Sequence, residues 1–112
     1  MATYKGKYTA AVFEPVDITL ISVTYQNDAI GQPIANEQTS TIPGRIGSVS
    51  ATEDERAGQR GFKAEKEAVI WSFDYHEEEI AEVNGKRYQI YRYYKRSDGR
   101  TELYLGQKAG TN

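Results

Sequence analysis

The only histidine, His76, is followed directly by Glu77, Glu78 and Glu79. Imidazole and carboxylate are both metal ligands and both acid–base groups, so this run is the first place where chemistry could sit. Its spacing argues against a site, because consecutive residues at a strand end point apart while a metal needs ligands that converge. The chain has no cysteine, which excludes thiolate ligands and disulfides. A nucleophilic triad would have to use His76. There is no Gly-x-Ser-x-Gly elbow, and Ser48 lies in an Ile-Gly-Ser-Val strand context. Gly44, Gly47, Gly58 and Gly61 are scattered and lack the Lys-Ser/Thr ending of a phosphate-cradling loop. Nothing marks a working pair among the 16 acids. The residues therefore read as a chain that is no enzyme, with no catalytic residue, metal or cofactor.

A second kind of chemistry lies in the last third. Tyr88, Tyr91, Tyr93 and Tyr94 are interleaved with Arg87, Arg92, Lys95 and Arg96. Aromatic platforms in a basic groove stack single-stranded bases, each contributing about 1–3 kcal/mol. The same density also suits sheet core or a subunit contact. A net charge of −2 opposes the nucleic-acid reading. Charge is segregated along the chain: Asp74, Glu77, Glu78, Glu79 and Glu82 precede Lys86, Arg87, Arg92, Lys95, Arg96 and Arg100. Solvated strand ends would give this pattern. So would a head-to-tail ring of copies, in which Glu77, Glu78, Glu79 and Glu82 of one copy meet Arg87, Arg96 and Arg100 of the next.

The elements that carry these residues are mostly strands. Asn84-Gly85 and Asp98-Gly99 each suit a type I′ turn, which needs φ > 0 at both central positions. A meander near 80–83, 86–96 and 100–107 follows. Two-residue turns would set Glu82 opposite Arg87, Tyr94 opposite Leu103, Lys95 opposite Glu102 and Tyr93 opposite Tyr104. Leu103 and Leu105 favour Tyr88, Ile90 and Tyr94 as the inner face, leaving Tyr91 and Tyr93 partly outside. Upstream, residues 16–26 form a strand. Ile18 and Leu20 share one phase while Ile21, Val23 and Tyr25 share the other, which implies a β-bulge or burial on both faces. Asn27 to Pro33 is a turn. A polar strand over 35–41 is interrupted at Pro43-Gly44, and extended structure resumes over 45–50. Residues 64–75 form a strand with Val69, Trp71, Phe73 and Tyr75 facing the core.

Residues 51–61 break the β pattern. Ser50-x-x-Glu53 and Thr52-x-x-Glu55 each fit a capping box, and the early acids suit a helix amino end. This helix has almost no apolar stripe, so its own domain has little reason to hold it. The sum is a mainly β chain: a small antiparallel β-barrel of about six strands with one short helix on a long loop at 48–64. The barrel domain spans 16–108, between a flexible N-terminal arm at 1–15 and a tail at 109–112. No apolar run approaches a membrane span and residues 1–8 lack a signal-type apolar region, so a soluble protein of a reducing compartment is expected.

The order of motifs resembles the head-closure, or head–tail connector stopper, proteins of long-tailed double-stranded DNA phages. The resemblance runs over roughly 14–108. It rests on the Asp17-Ile-Thr-Leu strand, the Asp28-x-x-Gly31 turn, and Gly44-x-Ile-x-Ser-Val-Ser-x-x-Glu53 leading into a polar helix with Ala57. It continues with the Ile70-to-Tyr75 strand and Asn84-Gly-Lys-x-Tyr-x-Ile90, followed by Glu102-Leu103. The acidic run 77–79 and the amino-terminal arm have no counterpart in that pattern. The resemblance implies a virion protein, in the host cytoplasm during assembly. It would form a homo-oligomeric ring below the portal and adaptor proteins, close the channel on packaged double-stranded DNA without sequence preference, and dock a tail-side connector protein. It also implies that the helix-bearing loop faces the channel, so that Glu53, Glu55, Arg56, Gln59, Arg60, Phe62 and Lys63 would make channel and inter-subunit contacts. An adaptor or tail-terminator role is the near alternative. A free single-stranded nucleic-acid-binding barrel is the alternative from another class.

Overall fold

The computed structural model describes residues 13–109. The expected N-terminal arm and C-terminal tail therefore lie outside the described residues, apart from 13–15 and Ala109. Six strands and a short helix follow in order: β1 (Glu14–Asn27), β2 (Pro33–Gly47), α1 (Ala51–Gln59), β3 (Phe62–Trp71), β4 (Ile80–Val83), β5 (Lys86–Lys95) and β6 (Arg100–Lys108). A 3₁₀ turn at Ser72–Asp74 follows β3. All pairings are antiparallel, and the sheet closes in the order β1-β2-β3-β6-β5-β4 with β4 returning to β1. The mainly β closed sheet with one short helix is thus as the sequence reads.

The core is what the alternation of the strands places inside. Ile18, Leu20, Ile42, Ala68, Ile70 and Val83 meet Tyr88, Ile90, Leu103 and Leu105 in one buried cluster. A six-strand ring is narrow, so several wall positions must be small. A Cβ on Gly44 would come within 2.7 Å of Ile18 Cδ1 and 2.9 Å of Ile70 Cγ2. A Cβ on Gly106 would lie 2.3 Å from the Lys63 carbonyl oxygen.

Three sequence expectations change, and of the two readings of β1, burial on both faces holds. Ala68 and Ile70 face inward on β3, while Trp71 and Phe73 are exposed, so the aromatic phase is the outer one. Tyr75 is buried, but only because the 3₁₀ turn resets the phase. β2 runs through Pro43 and Gly44 without a break. Pro43 pairs with Asp17 one residue short of the β2–β3 ladder, where its missing N–H removes no bond to β3. β1 carries no bulge against β2: Ile18, Leu20 and Ile21 are all buried, so the strand is covered on both faces there.

The third change is the register of the last hairpin. Asn84 and Gly85 have φ of 53° and 82°, the type I′ pair, and Glu82 faces Arg87. At Asp98-Gly99 only Gly99 has positive φ, at 83°. Arg96 N–H donates to the Arg100 carbonyl, closing a three-residue loop with a glycine bulge. The ladder shifts by one: Lys95 faces Thr101, Tyr94 faces Glu102, Tyr93 faces Leu103 and Arg92 faces Tyr104. Tyr94 is consequently outside. A bulge between Ile90 and Arg92 then restores Ile90 to Leu105.

β1 and β2 are much longer than the ring they belong to. β4 covers β1 only from Thr19 to Ile21, and β3 covers β2 only from Gly44 to Gly47. Residues 22–38 therefore leave the ring as a two-stranded ribbon, closed by the turn after Asn27. Asp28 Oδ1 accepts from the N–H groups of Ile30 (3.0 Å) and Gln32 (2.8 Å), and Gly31 sits at φ 86°. Near the tip Tyr25, Ile30 and Ile34 are 71%, 77% and 51% exposed.

Candidate functional site

The helix is the first place to test the expected contacts. Ser50 Oγ accepts from Glu53 N–H at 3.1 Å, so the cap is as the sequence reads. The reciprocal half of the capping box is absent, because the Glu53 side chain turns to the barrel wall instead. Arg92 donates to it through Nη2 and through Nε (3.3 Å), and Tyr91 Oη donates at 2.7 Å. The β5 bulge makes this possible. With one extra residue in the strand, Tyr91 and Arg92 both serve the outer wall below α1. Phe62 stacks on Tyr91 at 5.2 Å between centroids, Arg92 lies 4.0 Å over the Tyr104 ring, and Ala57 is fully buried.

The domain thus holds its helix with a polar clamp rather than an apolar stripe. This corrects Glu53 as a channel residue, since it is buried within its own chain. Phe62 is half-buried against Tyr91. Glu55, Arg56, Gln59, Arg60 and Lys63 remain exposed.

Burial would raise the Glu53 carboxyl, but the Arg92 and Tyr91 hydrogen bonds, with the charges of Arg92 and Arg56, outweigh it and hold it below its usual range. Burial first, and then the Glu53 hydrogen bond, push the Tyr91 phenol upward. Glu67, which faces Tyr104 on the same wall, is pushed up to about 6. Burial is the main cause there, followed by the charges of Glu102 and Glu53, with Arg92 and Arg96 opposing.

The charged ring residues divide. Glu78 is buried: its Oε1 accepts from His76 N–H at 2.7 Å, and its carbonyl accepts from Tyr75 Oη at 2.9 Å. It organises a loop in which Glu77 takes φ 64°. That corrects Glu78 as a contact residue, while Glu77 and Glu79 stay exposed. Arg87 is bound within the chain, bidentate to Glu37 (2.8 and 3.0 Å) and to Glu82 (3.1 Å). Arg96 pairs with Asp98 at 2.7 Å and with Glu102 at 3.7 Å. Arg100 lies 4.7 Å over the Trp71 ring and 3.9 Å from Asp98. The acidic and basic segments therefore do not form two free complementary surfaces. Glu82, Arg87, Arg96 and Arg100 are largely matched inside one copy.

Two features were missed by sequence reasoning. One is the ribbon. Its signal was present: beyond Leu20 the positions continuing the core face are Ser22, Thr24 and Gln26 on β1, and Ser40, Gln38 and Asn36 on β2. A strand whose core face turns polar has left the core. The other is a groove on the outer wall, lined by Phe13, Pro43, Arg45, Val69, Trp71 and Arg100. Its signal was misread as the inward phase of β3. Among the described residues no cluster of His, Asp or Glu is placed to hold a metal ion, and no helix is long and apolar enough to cross a membrane.

The chain matches no protein-family model and no curated protein.

Proposed function

We propose that this protein is a structural, ring-forming component of a phage head–tail connector, closing the DNA channel after packaging and presenting a docking surface to the tail. The observation that carries this reading is the ribbon. The barrel is complete without residues 22–38, yet those residues hold a defined turn and an apolar tip in solvent. A lone two-stranded hairpin is at best marginal in water. Its retention beside a closed barrel suits a protein whose final environment includes neighbours. The exposed face of α1, with Glu55, Arg56, Gln59 and Arg60, would then serve the channel, while the Glu53 clamp fixes the helix on the wall. The motif order from Asp17 to Leu103 supplies the kind of assembly.

The single-stranded nucleic-acid reading has less to stand on. Tyr88 is in the core, Tyr91 is covered by Phe62, and Arg87 and Arg92 are neutralised. Tyr93, Tyr94 and Lys95 are exposed, but they alternate between the faces of β5 and Tyr93 packs edge-on against Tyr75, so they make no single platform.

The test is a phage particle assembled with a shortened chain, in which Asn-Gly replaces residues 25–35. The isolated variant should keep its β-sheet signal and cooperative melting. Heads should package DNA and then lose it, and the variant should be missing from purified particles. Normal DNA retention with the variant incorporated would refute the connector role. So would tight, salt-dependent binding of single-stranded DNA by the intact protein, in favour of the rival.

A further inference from the structure

The ribbon tip and the outer groove are the two exposed apolar places in the molecule whose chemistry is opposite. The ribbon, residues 22–38, contains Asp28 and Glu37 and no Lys, Arg or His. Glu37 is engaged by Arg87, which leaves Asp28 as the charge at the tip. That carboxylate accepts two backbone N–H bonds through one oxygen, Oδ1. Tyr25, Ile30 and Ile34 surround it with exposed apolar surface.

The groove is basic on balance: Arg45, Arg96 and Arg100 line it against one carboxylate, Glu67. Pro43, Val69 and Trp71 give it an apolar floor and rim, and Trp71 stacks on Phe73 at 6.0 Å. Arg100 lies over the Trp71 ring. Arg45 reaches only the Phe13 carbonyl, at 3.3 Å, and meets no carboxylate among the described residues. A guanidinium over a carbonyl, beside an aromatic face, suits one carboxylate flanked by aliphatic and aromatic side chains.

A chain cannot fill its own groove with its own tip. Val69 pairs with Arg45, and Arg45 is twelve residues along β2 from Pro33 at the turn. At roughly 3.3 Å per residue that is about 40 Å. Residues 1–12 carry Lys5 and Lys7 and no acid. Their charge repeats that of the groove instead of complementing it.

We infer that the ribbon tip of one copy seats in the Arg45–Trp71 groove of a second copy, with Asp28 meeting Arg45 and Ile30 and Tyr25 meeting Trp71. The two surfaces differ, so the contact is heterologous and repeats from copy to copy, giving a ring if the rotation closes. The inference rests on the ring reading above and names the surfaces that would build it.

The chain has no cysteine, so disulfide trapping is clean. Two single variants, Ile30→Cys and Val69→Cys, are mixed at high protein concentration and oxidised. The expected product is the mixed dimer, in clear excess over both homodimers. The double variant should give a ladder of dimers, trimers and larger species, since a disulfide needs Cα atoms within about 7 Å and one chain cannot satisfy that. Adding Arg45→Glu should cut the mixed dimer severalfold, with unchanged melting. Dominant Ile30–Ile30-site homodimers would overturn the contact in favour of tip-to-tip pairing. Absence of cross-links while sedimentation shows oligomers would overturn the contact and leave the ring reading standing. Absence of both cross-links and oligomers would overturn the contact, and the particle experiment would judge the ring reading separately.

Discussion

Glu53 and Arg92, 39 residues apart in sequence, form an ion pair whose side chains are only 5% and 17% exposed. One charge comes from the first turn of α1 and the other from the residue after the β5 bulge. Removing one partner of a buried pair leaves the other desolvated and unmatched. Glu53→Gln should therefore cost about 3 kcal/mol, the low end for such pairs because Arg92 keeps some water. Replacing both residues by Met should recover most of that loss. Urea melts of the two variants and the parent, followed by circular dichroism, check this; equal losses in the single and double variants would contradict it.

The glycines give a graded series. Gly106→Ala drives a Cβ into the Lys63 backbone, which cannot step aside, and should cost 3 kcal/mol or more, at or above the upper end of about 1–3 kcal/mol for overpacking. Gly44→Ala meets the movable Cδ1 of Ile18 at 2.7 Å, with Ile70 Cγ2 at 2.9 Å and the Val69 carbonyl no nearer than 3.1 Å, and should cost less. Gly58 lies exposed in α1 with nothing near its absent Cβ. Gly58→Ala should stabilise by about 0.5–1 kcal/mol, the helix-propensity difference. Thermal melts that fail to rank the three in this order would dispute the packing described for β6.

Glu67 supplies a pH signature. A carboxyl whose folded pKa lies above its unfolded value favours folding while protonated and opposes it once ionised. As pH rises from 4.5 through about 6, Glu67 should subtract stability. Discounted for the solvent that still reaches this half-buried group, the shift is worth about 1 kcal/mol or less. Glu67→Gln should thus raise stability by up to about 1 kcal/mol at pH 7.5 and change little at pH 4. Glu53 acts in the opposite direction, since its lowered carboxyl contributes above its unfolded value and loses that contribution as pH falls through its folded value. Denaturation midpoints across pH 2–8 measure both, and a gain for Glu67→Gln that does not vanish in acid would speak against the assignment.

The ribbon and the core should separate cleanly in a mutant series. Serine at Tyr25, Ile30 or Ile34 should leave folding stability within about 0.5 kcal/mol, as surface changes usually do. Alanine at Leu103 or Leu105, both fully buried, should cost about 2–5 kcal/mol. Hydrogen exchange should show the same division in the free protein, with ribbon amides exchanging far faster than those of β6. A ribbon as protected as β6 would mean that it is already covered in the free state.

How much of this was legible in the sequence depends on the length scale of each signal. Asn84-Gly85 names its turn because both residues tolerate positive φ, a property local to two residues. Asp98-Gly99 looks equivalent, yet the loop takes three residues and moves the partners of Arg92 to Lys95 by one. Trp71 and Phe73 invite an inward assignment by size, but Ala68 and Ile70 fit the narrow interior and the aromatics do not. Glu53 reads as a capping-box acid; only the bulge at Tyr91, which no glycine announces, turns it into a clamp. The short helix, its serine cap and the closed sheet were all within reach of pattern alone. The ribbon was too, in the polar run of Ser22, Thr24 and Gln26.

The seam that closes the sheet has a consequence in time. Only Thr19, Leu20 and Ile21 meet β4, through Glu82, Ala81 and Ile80. β1 and β2 can pair as soon as both have been made, but the seam must wait for residues some sixty positions later. At synthesis rates of about 5–20 residues per second, that delay is roughly 3–13 s. During it, the Thr19–Ile21 edge is an open template with two fully apolar side chains. The seam is also the shortest ladder of the ring. A slow step in refolding, sensitive to Ile80 and Ala81 but not to the ribbon, would be the trace left by this closure.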